Sequence, residues 1–169
     1  MAKQTAPDAQ RPLPGVTVPG AAGASIEFRG RRIPQLEILK TLSRSGTGRG
    51  VVEIYKQEVL PIKTRTLRLV GRKCSARVIH TLLGYEVKAS FKRIQCPDMV
   101  TARYVKLFTE LGCRSIKLPY DPTVTARLIP ELERAVESLL RGVSEMFDER
   151  TVAMYVARYL FTLIRAELR

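Results

Sequence analysis

Apolar residues recur along this chain with two different periods. From Asp98 onward the period is helical. Val100, Tyr104, Leu107, Phe108 and Leu111 fall at i, i+4, i+7, i+8 and i+11, which predicts a helix opened by Pro97-Asp98 and stopped by Gly112. Asp121-Pro122 opens a second helix by the same cap-then-proline rule, with Val124, Leu128, Leu132, Val136, Leu139, Leu140 and Val143 on its buried face. Pro130 should kink or divide that helix, because it removes a donor from the helical ladder. A last amphipathic helix runs from about residue 149 to the end, with Val152, Val156, Tyr159, Leu160 and Leu163 inward. Earlier in the chain, Pro34 predicts a helix with Leu36, Ile38, Leu39 and Leu42 inward, stopped by Gly46, Gly48 and Gly50.

Between these lie segments with the shorter period of strands. Ile26 and Phe28 make a brief alternation ended by Gly30. Residues 51–56, 63–70, 85–94 and 114–118 read as further strands, with Pro61 marking a turn or edge. Ser75 is suited to cap a short helix whose Val78, Ile79, Leu82 and Leu83 share one face and which Gly84 ends. Strand and helix thus alternate about every 25 residues, which predicts an α/β fold. The expected architecture is a mixed, largely parallel sheet built from βα units, followed by a C-terminal helical pair. A faint echo at the helix starts, Ala76-Arg77, Ala102-Arg103 and Ala126-Arg127, would put three arginines at one end of such a sheet.

Composition refines the domain plan. Residues 1–24 hold four Pro, three Gly and six Ala with little to bury, and read as a disordered tail. Residues 25–120 form the expected α/β domain. Residues 121–169 form helices that pack on that domain, with homodimerisation through them as the alternative. Cys74, Cys96 and Cys113 are odd in number and widely spaced, which argues against a disulfide framework or a zinc site. No targeting segment or membrane span is visible, so the expected setting is cytoplasmic.

Charge changes the picture most. Residues 25–120 carry 20 Lys and Arg against seven Asp and Glu, an excess equal to the +13 of the whole 169-residue chain. Between Glu58 and Glu86 there is no acid at all. A basic excess confined to one folded region fits a surface that meets a polyanion. Lys63, Arg65, Arg68, Arg72, Lys73, Arg77, Lys92, Arg93 and Arg103 are the candidate contacts, with phosphates as the main target. The loop from Arg44 to Gly50 resembles a phosphate cradle in its glycines. It follows a helix and precedes a strand, however, and lacks the Gly-Lys-Ser/Thr ending. Arg44 and Arg49 are therefore a secondary anion contact, and no cofactor or metal is expected.

Aromatic platforms for single strands are few. Tyr104 and Phe108 fall on the apolar stripe, leaving Tyr85, Phe91 and Tyr120 as stacking candidates. His80 has no acid or nucleophile spaced to partner it, and reads as a buried or boundary residue. Tyr85-Glu86-Val87-Lys88, an E-x-K on a strand, resembles the core of the PD-(D/E)XK nucleases over about residues 51–118. That resemblance implies a divalent metal held by Glu86 and a second acid, with Lys88 helping to activate water. The strand before the motif, 63–70, supplies no acid. The sequence therefore points first to a DNA- or RNA-binding accessory or regulatory protein without catalysis. A metal-dependent nuclease, or an adaptor for an acidic protein, is the alternative.

Overall fold

The computed structural model describes residues 25–28, 31–34 and 49–168. The expectations for the tail at 1–24, for the helix after Pro34 and for Arg44 lie outside the described residues. The chain divides into two units, 1–41 and 42–169. In the first, β1 (Ser25–Phe28) pairs antiparallel with β2 (Arg31–Pro34), Ile26 opposite Ile33.

The first described element of the second unit is a helix where a strand is expected. α1 (Val51–Ile54) continues as a π-helical segment, Tyr55–Val59, closed by a bond from the Leu60 N–H to the Tyr55 carbonyl at 3.1 Å. The β-branched residues of 51–56 favour a strand locally. Their burial is nonetheless helical: Val51, Ile54, Tyr55 and Val59 are buried, and tertiary contact overrides propensity.

β3 (Thr64–Arg68) follows as the sequence predicts. The next segment does not. Residues 75–83 form no helix, and 85–94 is not one strand. Instead β4 (Ala76–Thr81), β5 (Gly84–Ala89) and β6 (Lys92–Cys96) make an antiparallel meander joined by two-residue turns. Gly84, at φ +109°, makes the first turn possible, since L side chains rarely adopt that backbone. A Cβ there would also stand 3.2 Å from the Cys96 carbonyl oxygen. Thr81 Oγ1 accepts from the Leu83 N–H and donates to the Gly84 carbonyl, which closes the turn.

α2 (Met99–Leu111) carries the predicted caps. The Asp98 carboxylate accepts from the Thr101 N–H at 2.7 Å, and Gly112 ends the helix at φ +84°. β7 (Ser115–Pro119) then returns antiparallel to β3, with Thr66 opposite Lys117. α3 (Pro122–Met146) is capped by Asp121, whose hydrogen bonds from Thr123 hold its carboxyl below the ordinary value. Pro130 does not divide this helix, which runs unbroken for 25 residues. The carbonyl it leaves unpaired belongs to the exposed Ala126, where water can serve. α4 (Arg150–Glu167) closes the unit.

The expected largely parallel sheet of βα units is thus corrected. Among the described residues every strand pair is antiparallel, in the sheets β1-β2, β3-β7 and β4-β5-β6. Two-residue turns can join only antiparallel neighbours, because a parallel crossover needs a dozen residues or more. The C-terminal helices pack on their own unit: Leu128, Leu132 and Phe161 belong to the same core as Val87 and Ile116. The repeated Ala-Arg echo fails with the helix at 75–83, since Arg77 sits within a strand.

Among the described strands β7 has a hydrogen-bonded neighbour on one side only. The bonds from Leu69 N–H to Arg114 O and from Tyr120 N–H to Lys63 O fix the alternation, so the Lys117 peptide groups point away from β3. Two buried tyrosines satisfy them. The Lys117 N–H donates to Tyr55 Oη at 2.6 Å, and Tyr104 Oη donates to the Lys117 carbonyl at 2.9 Å. Phe108 packs against both rings, with centroids 5.5 Å from Tyr55 and 4.8 Å from Tyr104.

Tyr104→Phe leaves the part-buried Lys117 carbonyl without this donor and is expected to cost about 1–3 kcal/mol in urea unfolding. A loss below about 0.5 kcal/mol would show that water replaces the hydroxyl. Burial also pushes Tyr104 upward in pKa, and pushes Cys96 and Cys113 up to about 11 from the ordinary 9.0. Each group stays neutral longer when folded, so the unfolded chain loses its protons first. Stability should hold below pH 9 and fall as the pH rises through the window from 9 to 11. A urea midpoint that is flat across that window would contradict this.

Candidate functional site

Strand register, more than any single element, decides where the charge sits. Directly opposed residues of antiparallel strands face the same side. Arg77 stands opposite Lys88, and Lys88 opposite Arg93, so three cations form one row across β4, β5 and β6. The row lies on the outer face and all three are exposed, while Ala76, Val87, Ala89, Ile94 and Cys96 face the core. It spans two interstrand spacings, about 10 Å. Arg93 approaches Glu86 at 3.6 Å yet remains 65% exposed; no described acid pairs with Arg77 or Lys88.

Arg72 extends the patch beyond the end of the sheet. Its Nη2 donates to Ser90 Oγ at 2.8 Å, and its guanidinium lies 5.4 Å from the Phe91 ring centroid. Ser90 and Phe91 form the β5–β6 turn, one residue from the row. Phe91 is 83% exposed. Ser90 has φ +56°, the only positive φ outside glycine among the described residues, and such strain concentrates at binding sites.

The remaining predicted contacts divide by environment. Arg68 is exposed at the end of β3 opposite Ser115, and Arg65 faces the other side of that strand opposite Leu118. Lys63 is exposed with its Nζ 5.6 Å from the Tyr120 ring centroid. Lys92 is a clasp: its Nζ donates to the Arg68 and Leu69 carbonyls at 2.8 and 3.3 Å, tying β6 to the end of β3. Arg103 is paired with Glu133. Arg49 bridges Glu58 and Glu131, and Arg127 also holds Glu58. The hydrogen bonds to Glu58 and then Glu131 raise the Arg49 pKa, and Arg49 and then Arg127 hold the Glu58 carboxyl below its ordinary value. Lys73 turns away from the sheet altogether, its Nζ 4.5 Å from the Phe161 ring centroid.

Lys88, the middle of the row, was not among the predicted contacts. The signal was present in the alternation of residues 76–96. It becomes visible only if Leu82-Leu83 and Ser90-Phe91 are read as turns. His80 is exposed on β4 beside Tyr85, ring centroids 5.0 Å apart, and is not buried.

Glu86 and Lys88 do share the outer face. The register neighbours of Glu86, however, are Ile79 and Gln95. Glu53 and Glu58 lie on α1 and its continuation, and Asp98 caps α2. Among the described residues no group of three or more His, Cys, Asp and Glu side chains is placed to hold a metal ion. No helix of the described residues is long and apolar enough to cross a membrane. No protein family matches this sequence, and no curated protein or solved structure is detectably similar to it.

Proposed function

We propose that this protein binds nucleic acid through the outer face of the β4–β6 sheet, contacting phosphates and performing no chemistry on them. The observation that carries this reading is the exposed row Arg77–Lys88–Arg93 with Arg72 beside it. A width of about 10 Å suits a major groove about 12 Å across, whose walls present phosphates to the long side chains. β-sheet faces are one of the established ways of entering a groove. Phe91, exposed and stacked by Arg72, supplies one aromatic surface on which an unpaired base can rest. Arg68 and Lys117, on the exposed side of β3 and β7, add charge on a second sheet that Lys92 ties to the first.

The reading requires cations that no carboxylate holds by a short hydrogen bond; Arg93 meets it because Glu86 stands 3.6 Å away and leaves the side chain 65% exposed. Arg49 and Arg103 are engaged by acids, so they are left out of the proposed contact set, and Lys73 belongs elsewhere. The contact set is therefore Arg72, Arg77, Lys88 and Arg93, with Arg68 at its margin.

The test is fluorescence anisotropy of short duplex and single-stranded DNA and RNA probes across a salt series. Four phosphate contacts predict a log–log slope of about −3 to −4 on B-DNA. Arg77→Glu with Lys88→Glu should weaken binding by more than about tenfold without lowering the melting temperature, because both side chains are exposed. Arg134→Glu with Arg141→Glu on α3 makes the same change in net charge and should have little effect. Equal losses from the two double variants, or no binding at low salt, would contradict the proposal.

A further inference from the structure

α2, α3, α4 and the segment 73–75 enclose a groove of about 880 Å³, and nothing in the nucleic-acid reading uses it. Its walls are apolar: Leu107, Leu111, Val136, Leu140, Met154 and Phe161. Its rim is cationic, formed by Lys73, Arg158 and Arg165. The one acid on the lining, Glu110, is committed to Lys106 at 2.9 Å and to the Ala76 N–H at 3.3 Å. Among the described residues no carboxylate pairs with any of the three rim cations. Arg165 donates to Thr162 Oγ1 at 2.6 Å, which fixes its guanidinium, and its Nη1 comes close to Gly112. A Cβ at Gly112 would stand 2.7 Å from that nitrogen and 2.6 Å from the Lys73 amide nitrogen. The chain is therefore brought tightly together here, with Lys73 over Phe161.

Three like charges gathered beside an apolar groove repel one another unless an anion joins them. Burial, and after it the like charges of Arg158 and Arg165, lower the Lys73 pKa. The volume falls within the range of small-molecule sites, which are mostly apolar with a few placed polar groups. The guanidinium fork matches a carboxylate.

We propose that this groove binds an amphiphilic carboxylate, with the head between Lys73, Arg158 and Arg165 and an unbranched apolar tail along Leu107, Val136 and Met154. The site is separate from the outer face of the β4–β6 sheet. Cys74, half-buried on the lining, offers a reporter, because an occupied groove covers its thiol.

The experiment uses the full chain with decanoate as the probe and decanol as its neutral match, followed by calorimetry and by the rate of Cys74 alkylation. Decanoate should bind at least about tenfold more tightly than decanol and slow alkylation of Cys74. Arg158→Gln, at an exposed position, should weaken decanoate by about tenfold and leave decanol unchanged, and Arg158→Lys should restore part of the loss. Arg77→Glu with Lys88→Glu should leave decanoate binding intact, which separates this site from the nucleic-acid face. The proposal is overturned by equal affinity for decanoate and decanol, by an unaltered Arg158→Gln variant, or by displacement of decanoate by nucleic acid. It is overturned equally if decanoate fails to bind because another part of the chain or a second copy fills the groove.

Discussion

The peptide of Lys117 is the junction on which the second unit depends. Among the described strands β7 is bonded to β3 on one side only, so an N–H and a carbonyl face inward with no described strand to meet them. Tyr55 accepts from one and Tyr104 donates to the other. This part-buried peptide without these partners would cost about 1–3 kcal/mol for each group left unpaired. Because one hydroxyl comes from the π-helical segment after α1 and the other from α2, three elements distant in sequence are fixed to one peptide. Phe108 fills the space between the two rings. Burial keeps both phenols neutral, as the donor role of Tyr104 requires.

That junction positions the candidate surface. α2, held by Tyr104, supplies the apolar side on which the β4–β6 meander lies, with Val87, Ala89 and Ile94 in the shared core. Once the inner residues of each strand are committed, strict alternation sends Arg77, Lys88 and Arg93 outward. The Lys92 clasp and the Arg72–Ser90 bond then hold the end of the meander beside the end of β3. The basic row therefore follows from the packing of the opposite face. It needs no local arrangement of its own, only cations at the alternate positions.

Much of the helical part was legible because its signals are local. Asp98, Gly112 and Asp121 cap where their chemistry predicts, and of the apolar stripe of α2 Tyr104, Phe108 and Leu111 are buried while Val100 and Leu107 are half-buried. The meander was not legible for an equally specific reason. Val78, Ile79, Leu82 and Leu83 have helical spacing, yet Leu82 is 105% exposed at a hairpin corner and buries nothing. Residues 51–56 failed in the opposite sense, where β-branched side chains serve a helix because α3 and α4 cover them. The charge block draws attention to residues 63–93. Only the register shows that Arg77, Lys88 and Arg93 stand together while Lys73 turns to the helical groove. Lys92, Arg49 and Arg103 have internal partners that no spacing in the sequence reveals.

The central claim is that the outer face of the β4–β6 sheet meets phosphates. Amide chemical shifts of the isotope-labelled chain, titrated with a short duplex at low salt, test it most directly. The account predicts shifts concentrated at Arg72, Arg77, Lys88, Ser90, Phe91 and Arg93, with α3 and α4 unmoved. Shifts confined to the C-terminal helices, or spread evenly over every exposed cation, would contradict it.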